Sequence, residues 1–399
     1  MFSSLIPEAS ARKGGDIIHT LNAQAKARAR KGENILNGTL GSLLDDDGNL
    51  AVIQAWERAR TTIDPRLMAA YAPIQGHRGF LDGVAKELFG GNAHKTASVA
   101  TPGACGGIFL TFKNFLEPGQ SALLPHIHWP PYGVLSANAG RGLACFNTFK
   151  GSRFDLEAFR EALWGQIASQ GRAMPILNFP CNNPTGYSLD KEEWEGVAEI
   201  LAQASQKGPV ALLLDLAYEA YGPEGSRDWV KVIPQMGETT VVAVWTASKT
   251  FTRYGDRVGA VVALPPNPQE KEGMERAFSY TCRGTWSMSG HAGQMLTYKL
   301  MTDPVLKAEA DRQRERLRDL LFERAELFNG EARRLGLDYP RYDGGFFVMV
   351  FCKEPNQVAE KMRKEGVFVV PIEGGVRLGI CSVPAVDIPR LVQAVGRAL

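Results

Sequence analysis

The chain lacks the cysteine and histidine patterns that mark disulfide frameworks and metal sites. Its six cysteines are scattered without a C-x-x-C pair, and its six histidines show no metal-ligand spacing. The cysteines are Cys105, Cys145, Cys181, Cys282, Cys352 and Cys381. Thiols used in this way are typical of a reducing compartment, so the sequence predicts buried free cysteines, a cytoplasmic protein and no metal site.

Long apolar runs and an excess of one charge are also missing. No uninterrupted apolar stretch approaches the roughly 18 residues of a membrane-spanning helix, and the N-terminus has neither the basic flank nor the apolar core of a signal peptide. The 45 basic residues nearly balance the 43 acidic ones, leaving a net charge of +2. We therefore expect neither a membrane nor a nucleic acid as a partner. The short basic run at residues 26–31 fits the solvated end of a helix better than a nucleic-acid patch.

What is present is a globular composition, 44% hydrophobic over 399 residues, with length for two or more domains. In the middle of the chain, short apolar runs alternate with helical patterns. The predicted strands are residues 121–125, 174–178, 210–215, 241–248 and 258–264, and the predicted helices are residues 156–170 and 189–206. This alternation predicts an α/β fold in which helices cover a mostly parallel sheet on both faces.

After residue 303 the pattern changes. Residues 304–335 predict a long helix that breaks near residues 329–330. Three further strands and a C-terminal helix are predicted at residues 346–351, 367–372 and 376–380 and after Pro389. This part of the chain is typical of a separate α+β unit.

A reactive lysine is the central feature of the sequence. Lys249 follows the apolar residues 241–244 and the hydroxyl residues Thr246 and Ser248, and Arg257 lies eight positions later. A partly desolvated lysine at a strand end has a lowered amine pKa and can form a Schiff base with an aldehyde. The two hydroxyls and the arginine offer donors and a fixed cation suited to a phosphate monoester. An aldehyde and a phosphate together describe pyridoxal 5'-phosphate, although most lysines in such a position are simply solvated.

Two upstream segments strengthen this interpretation. Asn183 begins an Asn-Pro-Thr-Gly turn, Asp215 ends the apolar run 210–215, and Tyr218 follows it. A buried carboxylate needs a partner, and a protonated pyridine nitrogen would be kept cationic by it, which makes the ring an electron sink. Asn183 and Tyr218 carry donors suited to the phenolate oxygen of the ring. Alone, the first segment is an ordinary turn and the second a possible helix cap; their order around Lys249 favours the cofactor.

In this order the motifs resemble the aspartate/aromatic aminotransferase family of fold-type I pyridoxal phosphate enzymes, over nearly the full length of the chain. The other segments that carry the resemblance are residues 37–41 (NGTLG), 71–76 (YAPIQG), 101–106 (TPGACG), 128–130 (HWP), Arg283 with Trp286 and Ser287, and residues 376–379 (VRLG). The resemblance implies a large cofactor-binding domain at residues 49–308. It also implies a small α+β domain built from residues 1–48 and 309–399.

The small residues 103–107 precede an apolar helix, where backbone N–H groups can approach a phosphate. From the residues alone, a tight turn without a ligand is the alternative. The resemblance favours the phosphate and assigns Gly103, Ala104 and Cys105 to the cofactor, although a hydroxyl residue is usual where Cys105 stands. It also implies that Trp129 stacks on the cofactor ring and donates its indole N–H to the substrate, rather than packing only in the core.

Arg377 lies among apolar residues of a predicted strand, where a guanidinium requires an anionic partner. An internal salt bridge would satisfy it, but the resemblance favours the α-carboxylate of the substrate and adds Gly41 and Asn183 to the substrate site. The resemblance further implies that Tyr71 reaches the cofactor phosphate of another subunit. Arg283 would bind the distal carboxylate of a dicarboxylic substrate across the same boundary, so a homodimer with shared active sites is expected.

The sequence thus predicts a pyridoxal phosphate-dependent aminotransferase with Lys249, Asp215 and Tyr218 as catalytic residues. It is expected to move an amino group from an aspartate-like or aromatic L-amino acid to 2-oxoglutarate through pyridoxamine phosphate. The preferred donor stays open, because four less polar residues surround the predicted substrate pocket: Pro131, Tyr132, Trp286 and Met288.

Three alternatives to this function are open. A catalytically dead binding protein is disfavoured because Lys249, Asp215 and Arg377 are all intact. A pyridoxal phosphate lyase or decarboxylase would use the same cofactor apparatus, because the reaction depends on which Cα bond is held perpendicular to the ring. A non-catalytic amino-acid-sensing regulator would need an appended helix-turn-helix domain, and the segment before Asn37 is too short for one.

Overall fold

The computed structural model describes residues 4–12 and 17–399. Within these residues the α-helices, labelled α1 to α16 in chain order, are Pro7–Ala11, Ile17–Ala29, Gln54–Thr61, Pro65–Ala69, Arg78–Phe89, Gly103–Phe115, Pro131–Asn138, Leu156–Gln170, Lys191–Ser205, Asp228–Val232, Ala247–Thr250, Lys271–Gly284, His291–Thr302, Pro304–Arg334, Pro355–Lys364 and Ile388–Ala398. The strands, labelled β1 to β14, are Leu36–Asn37, Ala97–Pro102, Ser121–Pro125, Gly142–Phe146, Phe149–Lys150, Arg153–Phe154, Ile176–Leu177, Ala211–Asp215, Thr240–Thr246, Val258–Leu264, Val348–Phe351, Val367–Phe368, Val370–Ile372 and Gly375–Leu378.

A five-stranded sheet in the order β2-β10-β9-β8-β7 forms the centre of the fold. Strands β7, β8 and β9 run parallel to one another, whereas β10 is antiparallel to both of its neighbours. The parallel pair β3 and β4 continues the sheet beyond β7 through a parallel bridge between Leu123 and Pro175. The predicted α/β fold with a mostly parallel sheet is confirmed.

Helices cover both faces of this sheet. Side chains alternate between the two faces along each strand, and the strands are apolar on both faces, so each face is covered by helices. In β9, Val241, Ala243 and Trp245 belong to one buried apolar cluster, which includes residues of α3, α5, α8 and α9. Val242 and Val244 belong to a second cluster on the opposite face, with residues of α6 and α12. Every residue of β8, β9 and β10 is buried, which explains their continuous apolar sequences.

A third apolar cluster lies in a smaller α+β unit. It joins Leu36, near the N-terminus, to residues of α14, α15 and α16 and of the antiparallel sheet β11-β14-β13. Strand β1 pairs in parallel with β12, so segments close to both ends of the chain contribute to this unit. The exact domain boundaries, residues 49–308 against residues 1–48 and 309–399, stay a prediction.

The predicted break in the long helix is wrong, because α14 continues without interruption from Pro304 to Arg334. Leu321, Ala325, Phe328 and Ala332 recur at helical spacing and are all buried. Their burial outweighs the cost of Gly330, which is about 1 kcal/mol for a glycine inside a helix. Within the described ranges, no helix combines the length and the apolar character needed to cross a membrane.

Candidate active site

The predicted catalytic residues meet at one edge of the central sheet. Asp215 is the last residue of β8, and Thr246 is the last residue of the parallel neighbour β9. Lys249 follows in α11, whose first turn is capped by Thr246, since its hydroxyl accepts from the Ser248 N–H at 3.2 Å. A cavity of about 90 Å³ opens there, lined by Ala104, Cys105, Trp129, Asn178, Asn183, Asp215, Ala217, Tyr218, Thr246, Ser248, Lys249 and Arg257.

The Lys249 amine lies in this cavity next to aromatic rings. Its Nζ is 5.7 Å from the ring centre of Tyr218 and 5.0 Å from that of Tyr254. Burial and, to a smaller extent, the nearby charge of Arg257 lower the pKa of Lys249 to about 8, while Asp215 opposes the change. This pKa leaves about one amine in ten neutral at pH 7, and the neutral amine is the form that a nucleophilic lysine requires.

Asp215 is buried and accepts one hydrogen bond on each carboxylate oxygen. The Tyr132 hydroxyl donates to Oδ2 at 2.7 Å, and the Ala217 N–H donates to Oδ1 at 3.1 Å. Burial raises the pKa of Asp215, and both hydrogen bonds oppose this rise because they favour the ionised form. The expectation that Tyr132 contributes to an apolar substrate pocket is wrong, since its side chain is 1% exposed and its hydroxyl points to Asp215.

Asn183 and Tyr218 lie together beside the cavity. Asn183 Nδ2 donates to the Tyr218 hydroxyl at 3.4 Å, and its backbone N–H donates to Asn178 Oδ1 at 2.8 Å. Asn178 Nδ2 in turn donates to the Asp215 carbonyl at 2.8 Å. This chain of contacts fixes the Asn-Pro-Thr-Gly turn against the end of β8.

At the other end of the cavity, a glycine turn meets a cation. Gly103 begins α6 with φ of +71°, and a Cβ added there would lie 2.4 Å from Arg257 Nη2. Arg257 Nη1 donates to the Ser248 hydroxyl at 3.1 Å, and Thr246 Oγ1 donates to the same hydroxyl at 3.0 Å. A guanidinium, two hydroxyls and the N-terminus of α6 are donors suited to a phosphate.

Ala104 and Cys105 follow Gly103 in the first turn of α6 and line the cavity. Burial raises the pKa of the Cys105 thiol, although the Arg257 charge opposes this. The thiol therefore stays protonated and supplies at most a weak donor.

Arg377 lies next to the cavity and is 3% exposed. Its Nη1 donates to Asn183 Oδ1 at 3.3 Å, its Nη2 donates to the Thr39 carbonyl at 2.9 Å, and its guanidinium lies 4.3 Å from the centre of the Phe347 ring. Gly41 contacts the same phenylalanine, because a Cβ added at Gly41 would be 3.1 Å from Phe347 Cζ. The structure thus brings Gly41, Asn183 and Arg377 together.

The remaining predicted residues are arranged differently. Trp129 lines the cavity and makes an edge-to-face contact with Tyr132, with ring centres 5.4 Å apart. Tyr71 is 89% exposed, and Arg283 is exposed with Nη1 donating to the Ser287 hydroxyl at 2.8 Å. Neither Tyr71 nor Arg283 is among the described residues that line the cavity of this single chain.

Sequence reasoning missed four residues in or beside the site, one of which is Ala217 in the cavity lining. Asn178 ends the predicted strand 174–178 and could have been found from its polar side chain at a strand end. The Tyr254 hydroxyl accepts from the Leu43 N–H at 2.9 Å, so this hydrogen bond connects the N-terminal part of the chain to the segment that follows Lys249. Phe347 has no distinguishing sequence signal, because an apolar residue in an apolar run predicts only core.

Comparison with known proteins identifies the family. The model of the family "Aminotransferase class I and II" matches residues 33–395. The chain belongs to this family.

Two curated relatives and one solved structure are similar to this aminotransferase. An aspartate aminotransferase of Pseudomonas aeruginosa is 26% identical over 349 residues, which cover 83% of this chain and 85% of the relative. An aromatic-amino-acid aminotransferase of Paracoccus denitrificans is 25% identical over 412 residues, which cover 99% of each chain. The crystal structure of an aminotransferase from Anaerococcus prevotii has a TM-score of 0.93 and 28% identity and covers 99% of each chain.

As a class I and II aminotransferase, the protein is a transaminase with pyridoxal phosphate as its cofactor. The residues of the cavity fit this group. Lys249 offers a buried amine with a lowered pKa, and Asp215 keeps lone pairs that can accept a pyridinium N–H. A Cβ at Gly103 would overlap the Arg257 guanidinium, so the lack of a side chain there lets this cation lie at the N-terminus of α6, where it could bind a phosphate.

Proposed function

We propose that this aminotransferase moves an amino group from an aspartate-like or aromatic L-amino acid to 2-oxoglutarate. The observation that carries the proposal is the position of Arg377, a buried guanidinium beside the lysine cavity. Both partners of both half-reactions carry an α-carboxylate, and a guanidinium can bind a carboxylate through two parallel hydrogen bonds.

Arg377 is held in place for this task. The Thr39 carbonyl and Asn183 accept from its two terminal nitrogens, and the Phe347 ring lies against its plane. Because Asn183 also contacts the Tyr218 hydroxyl, a carboxylate bound at Arg377 would lie one residue away from the proposed catalytic tyrosine. Gly41 lies beside Phe347, where a Cβ would come within 3.1 Å of the ring, and Trp129, which lines the cavity, would offer its indole N–H to the substrate.

Lys249 performs the proton transfer. When bound, pyridoxal phosphate supplies an aldehyde for amino groups and an electron-withdrawing ring, and it carries the amino group between the half-reactions as pyridoxamine phosphate. The Lys249 amine, with its pKa of about 8, is neutral in about one molecule in ten at pH 7 and can take the proton from the substrate Cα. Asp215 would hold a negative charge at the ring nitrogen, and Tyr218 with Asn183 would supply donors at the ring oxygen.

The other proposed cofactor contacts lie at the phosphate. Gly103, Ala104 and Cys105 would offer backbone N–H groups of the first turn of α6. Thr246, Ser248 and Arg257 would add two hydroxyls and a cation, and their mutual hydrogen bonds already orient these groups. We further propose a homodimer, in which the exposed Tyr71 and Arg283 of one subunit complete the site of the other.

A half-reaction screen tests the substrate proposal. The cofactor-loaded protein is mixed with aspartate, glutamate, phenylalanine or tyrosine, and the loss of the cofactor absorbance is followed together with the 2-oxo acid that is formed. We expect stoichiometric oxo acid from at least one dicarboxylic and one aromatic donor, and recovery of the absorbance with 2-oxoglutarate. Carbon dioxide or an elimination product instead of oxo acid would favour a decarboxylase or lyase and contradict the proposal.

Two arginine variants show whether Arg377 binds the substrate. Arg377→Lys keeps the charge but loses the two-pronged geometry, so KM should rise at least about tenfold for every amino acid that reacts. Arg324→Lys is the matched control, since Arg324 is a buried arginine whose partners are Asp46, Leu44 and Cys381. That control should lower the Tm but leave KM within about threefold of the wild type. Equal KM changes in the two variants would show that Arg377 has only a structural role.

A further inference from the structure

A buried tyrosine joins two walls of the cofactor cavity. Tyr132 lies in the first turn of α7, directly after Pro131, and is 1% exposed. Its hydroxyl donates to Asp215 Oδ2 at 2.7 Å, and its ring meets the Trp129 ring at 87° with centres 5.4 Å apart. Both Asp215 and Trp129 line the cavity, whereas Tyr132 lies behind them.

We propose that Tyr132 is a positioning residue of this aminotransferase, which keeps Asp215 ionised and fixes the place of Trp129 in the cofactor cavity. The proposal rests on the proposed roles of these two residues at the cofactor ring. A contact of 2.7 Å between a hydroxyl and a carboxylate has the length of a charge-assisted hydrogen bond, which favours the ionised carboxylate.

The surroundings of Asp215 make this donor necessary. Asp215 is preceded by the apolar residues of β8, and their packing removes water from the carboxylate and so raises its pKa. The groups that face Asp215 are Tyr132, the Ala217 N–H and the Lys249 amine, and all three oppose this rise. Tyr218 and Cys105 also lie close by, but burial keeps both protonated and uncharged.

Tyr132 itself stays a donor over the whole working range. Burial and the neighbouring Asp215 charge raise the pKa of its phenol well above the ordinary value, so the hydroxyl keeps its proton. If the donor is removed, Asp215 holds a proton more tightly, and the nitrogen of a bound ring carries less positive charge. With less positive charge nearby, Lys249 Nζ in the cofactor-loaded protein keeps its own proton to a higher pH.

The test follows the absorbance of the bound cofactor against pH in the absence of any amino acid. Tyr132→Phe removes only the hydroxyl, and we expect the midpoint of the titration to move upward by about one pH unit. Tyr187→Phe is the matched control, because the Tyr187 hydroxyl is also buried and donates to a carboxylate, Glu193 Oε1, at 2.6 Å, away from the cavity. Its midpoint should equal that of the wild type, and an unshifted Tyr132→Phe would overturn the proposal.

Further variants separate the two parts of the role. In an Asp215→Asn background, Tyr132→Phe should add no further shift, and an additional shift of full size would show that the tyrosine acts elsewhere. Tyr132→Leu also removes the ring beside Trp129, so the indole fluorescence should change in this variant and not in Tyr132→Phe. An unchanged indole signal would remove Trp129 from the proposal.

Kinetics and a donor variant complete the test. Tyr132→Phe should lower kcat about tenfold and change KM less than threefold, whereas a merely structural role would lower the Tm without the spectral shift. Tyr132→His retains a ring N–H donor, so the midpoint of its titration should lie closer to that of the wild type than to that of Asp215→Asn. The opposite result would contradict the proposal, and this test does not depend on whether Tyr132→Phe folds. Because the titration uses no substrate, it is independent of the donor and acceptor proposed above.

Discussion

The guanidinium of Arg257 lies directly against the backbone of Gly103, so that a Cβ added to Gly103 would be 2.4 Å from Nη2. Gly103 has φ of +71° and begins α6, and Arg257 also contacts the Ser248 hydroxyl. The contact therefore joins the N-terminus of a helix, a cation and a hydroxyl at one point. These are the groups that we propose for the cofactor phosphate.

Gly103→Ala should weaken pyridoxal phosphate binding at least about tenfold, because the new methyl group displaces Arg257 from the phosphate position. The dissociation constant is measured by titrating the apoprotein with the cofactor and following its absorbance. Gly151→Ala is the control, since Gly151 also has a positive φ, +64°, but open space around its Cβ position. Both variants should lose roughly 1–2 kcal/mol of stability from backbone strain. An unchanged cofactor affinity in Gly103→Ala would contradict the proposed phosphate site.

The buried Lys249 amine should make the stability of the apoprotein depend on pH. Burial lowers its pKa from 10.5 to about 8, so the folded protein gives up this proton more readily than the unfolded chain. The free energy of unfolding therefore has its full value above about pH 10.5. It decreases as the pH falls through about 8, because the buried amine must then take up a proton. Lys249→Met removes the titration but keeps the length of the side chain.

Relative to Lys249→Met, the wild-type apoprotein should gain about 3 kcal/mol in the free energy of unfolding between pH 7 and pH 10.5. Urea unfolding of both apoproteins at several pH values measures this difference. Lys191→Met, at an exposed lysine in the first turn of α9, is the control for the general effect of replacing a lysine by methionine. A flat difference for Lys249→Met would show that the lysine is solvated in the folded protein.

Much of this architecture could be predicted from the sequence because its signals are local. The apolar run before Asp215 and the run before Lys249 define neighbouring strands, and parallel strands bring their ends to one edge. The direction of β10 could not be predicted, since an apolar run has the same pattern whichever way the strand points. The unbroken α14 shows the same limit. The low helix propensity of Gly330 can be read from the sequence, whereas the burial of Phe328 and Ala332, which stabilises the helix, depends on contacts with distant parts of the chain.

The candidate site was predictable in residue type but not in side-chain direction. Tyr132 follows Trp129 and two prolines, and this pattern is the same whether the tyrosine ring faces the substrate or the interior. The structure turns it toward Asp215, which lies 83 positions later in the chain. Arg283 and Tyr71 pose the opposite problem, because their predicted partners belong to a second copy of the chain.

Mixed dimers test the shared active site. A Lys249→Ala chain has an intact Tyr71 and Arg283, whereas a Tyr71→Phe/Arg283→Ala chain has an intact Lys249. When the two proteins are unfolded together and refolded, the heterodimer should contain one complete site and recover part of the wild-type transaminase activity with glutamate or aspartate, the substrates for which both variants are expected to be impaired. Each protein refolded alone is the control. No recovery in heterodimers purified by two different tags would contradict the sharing of sites, and a fully active monomer in sedimentation would exclude it.

The last prediction concerns Arg283 and the choice of substrate. Arg283 is exposed in the single chain, and its Nη1 donates to the Ser287 hydroxyl, a neutral partner that a carboxylate can displace. A charge-assisted pair with the distal carboxylate of glutamate or aspartate is worth roughly 1.5–3 kcal/mol. An aromatic side chain that buries on the order of 100 Å² gains about 2.5 kcal/mol from the hydrophobic effect. Since the two contributions are similar, we expect the enzyme to accept both classes of substrate.

Arg283→Ala removes only the first contribution. The value of kcat/KM should fall about tenfold to a hundredfold for glutamate and aspartate, and less than about threefold for phenylalanine and tyrosine. Arg283→Lys keeps the charge without the planar geometry, so it should lie between the wild type and Arg283→Ala for the acidic substrates alone. Because Tyr132 is turned toward Asp215, the apolar neighbours left to favour aromatic substrates are Pro131, Trp286 and Met288. Equal losses for the acidic and the aromatic substrates would show that Arg283 has only a structural role, and the dicarboxylic part of the substrate proposal would then be wrong.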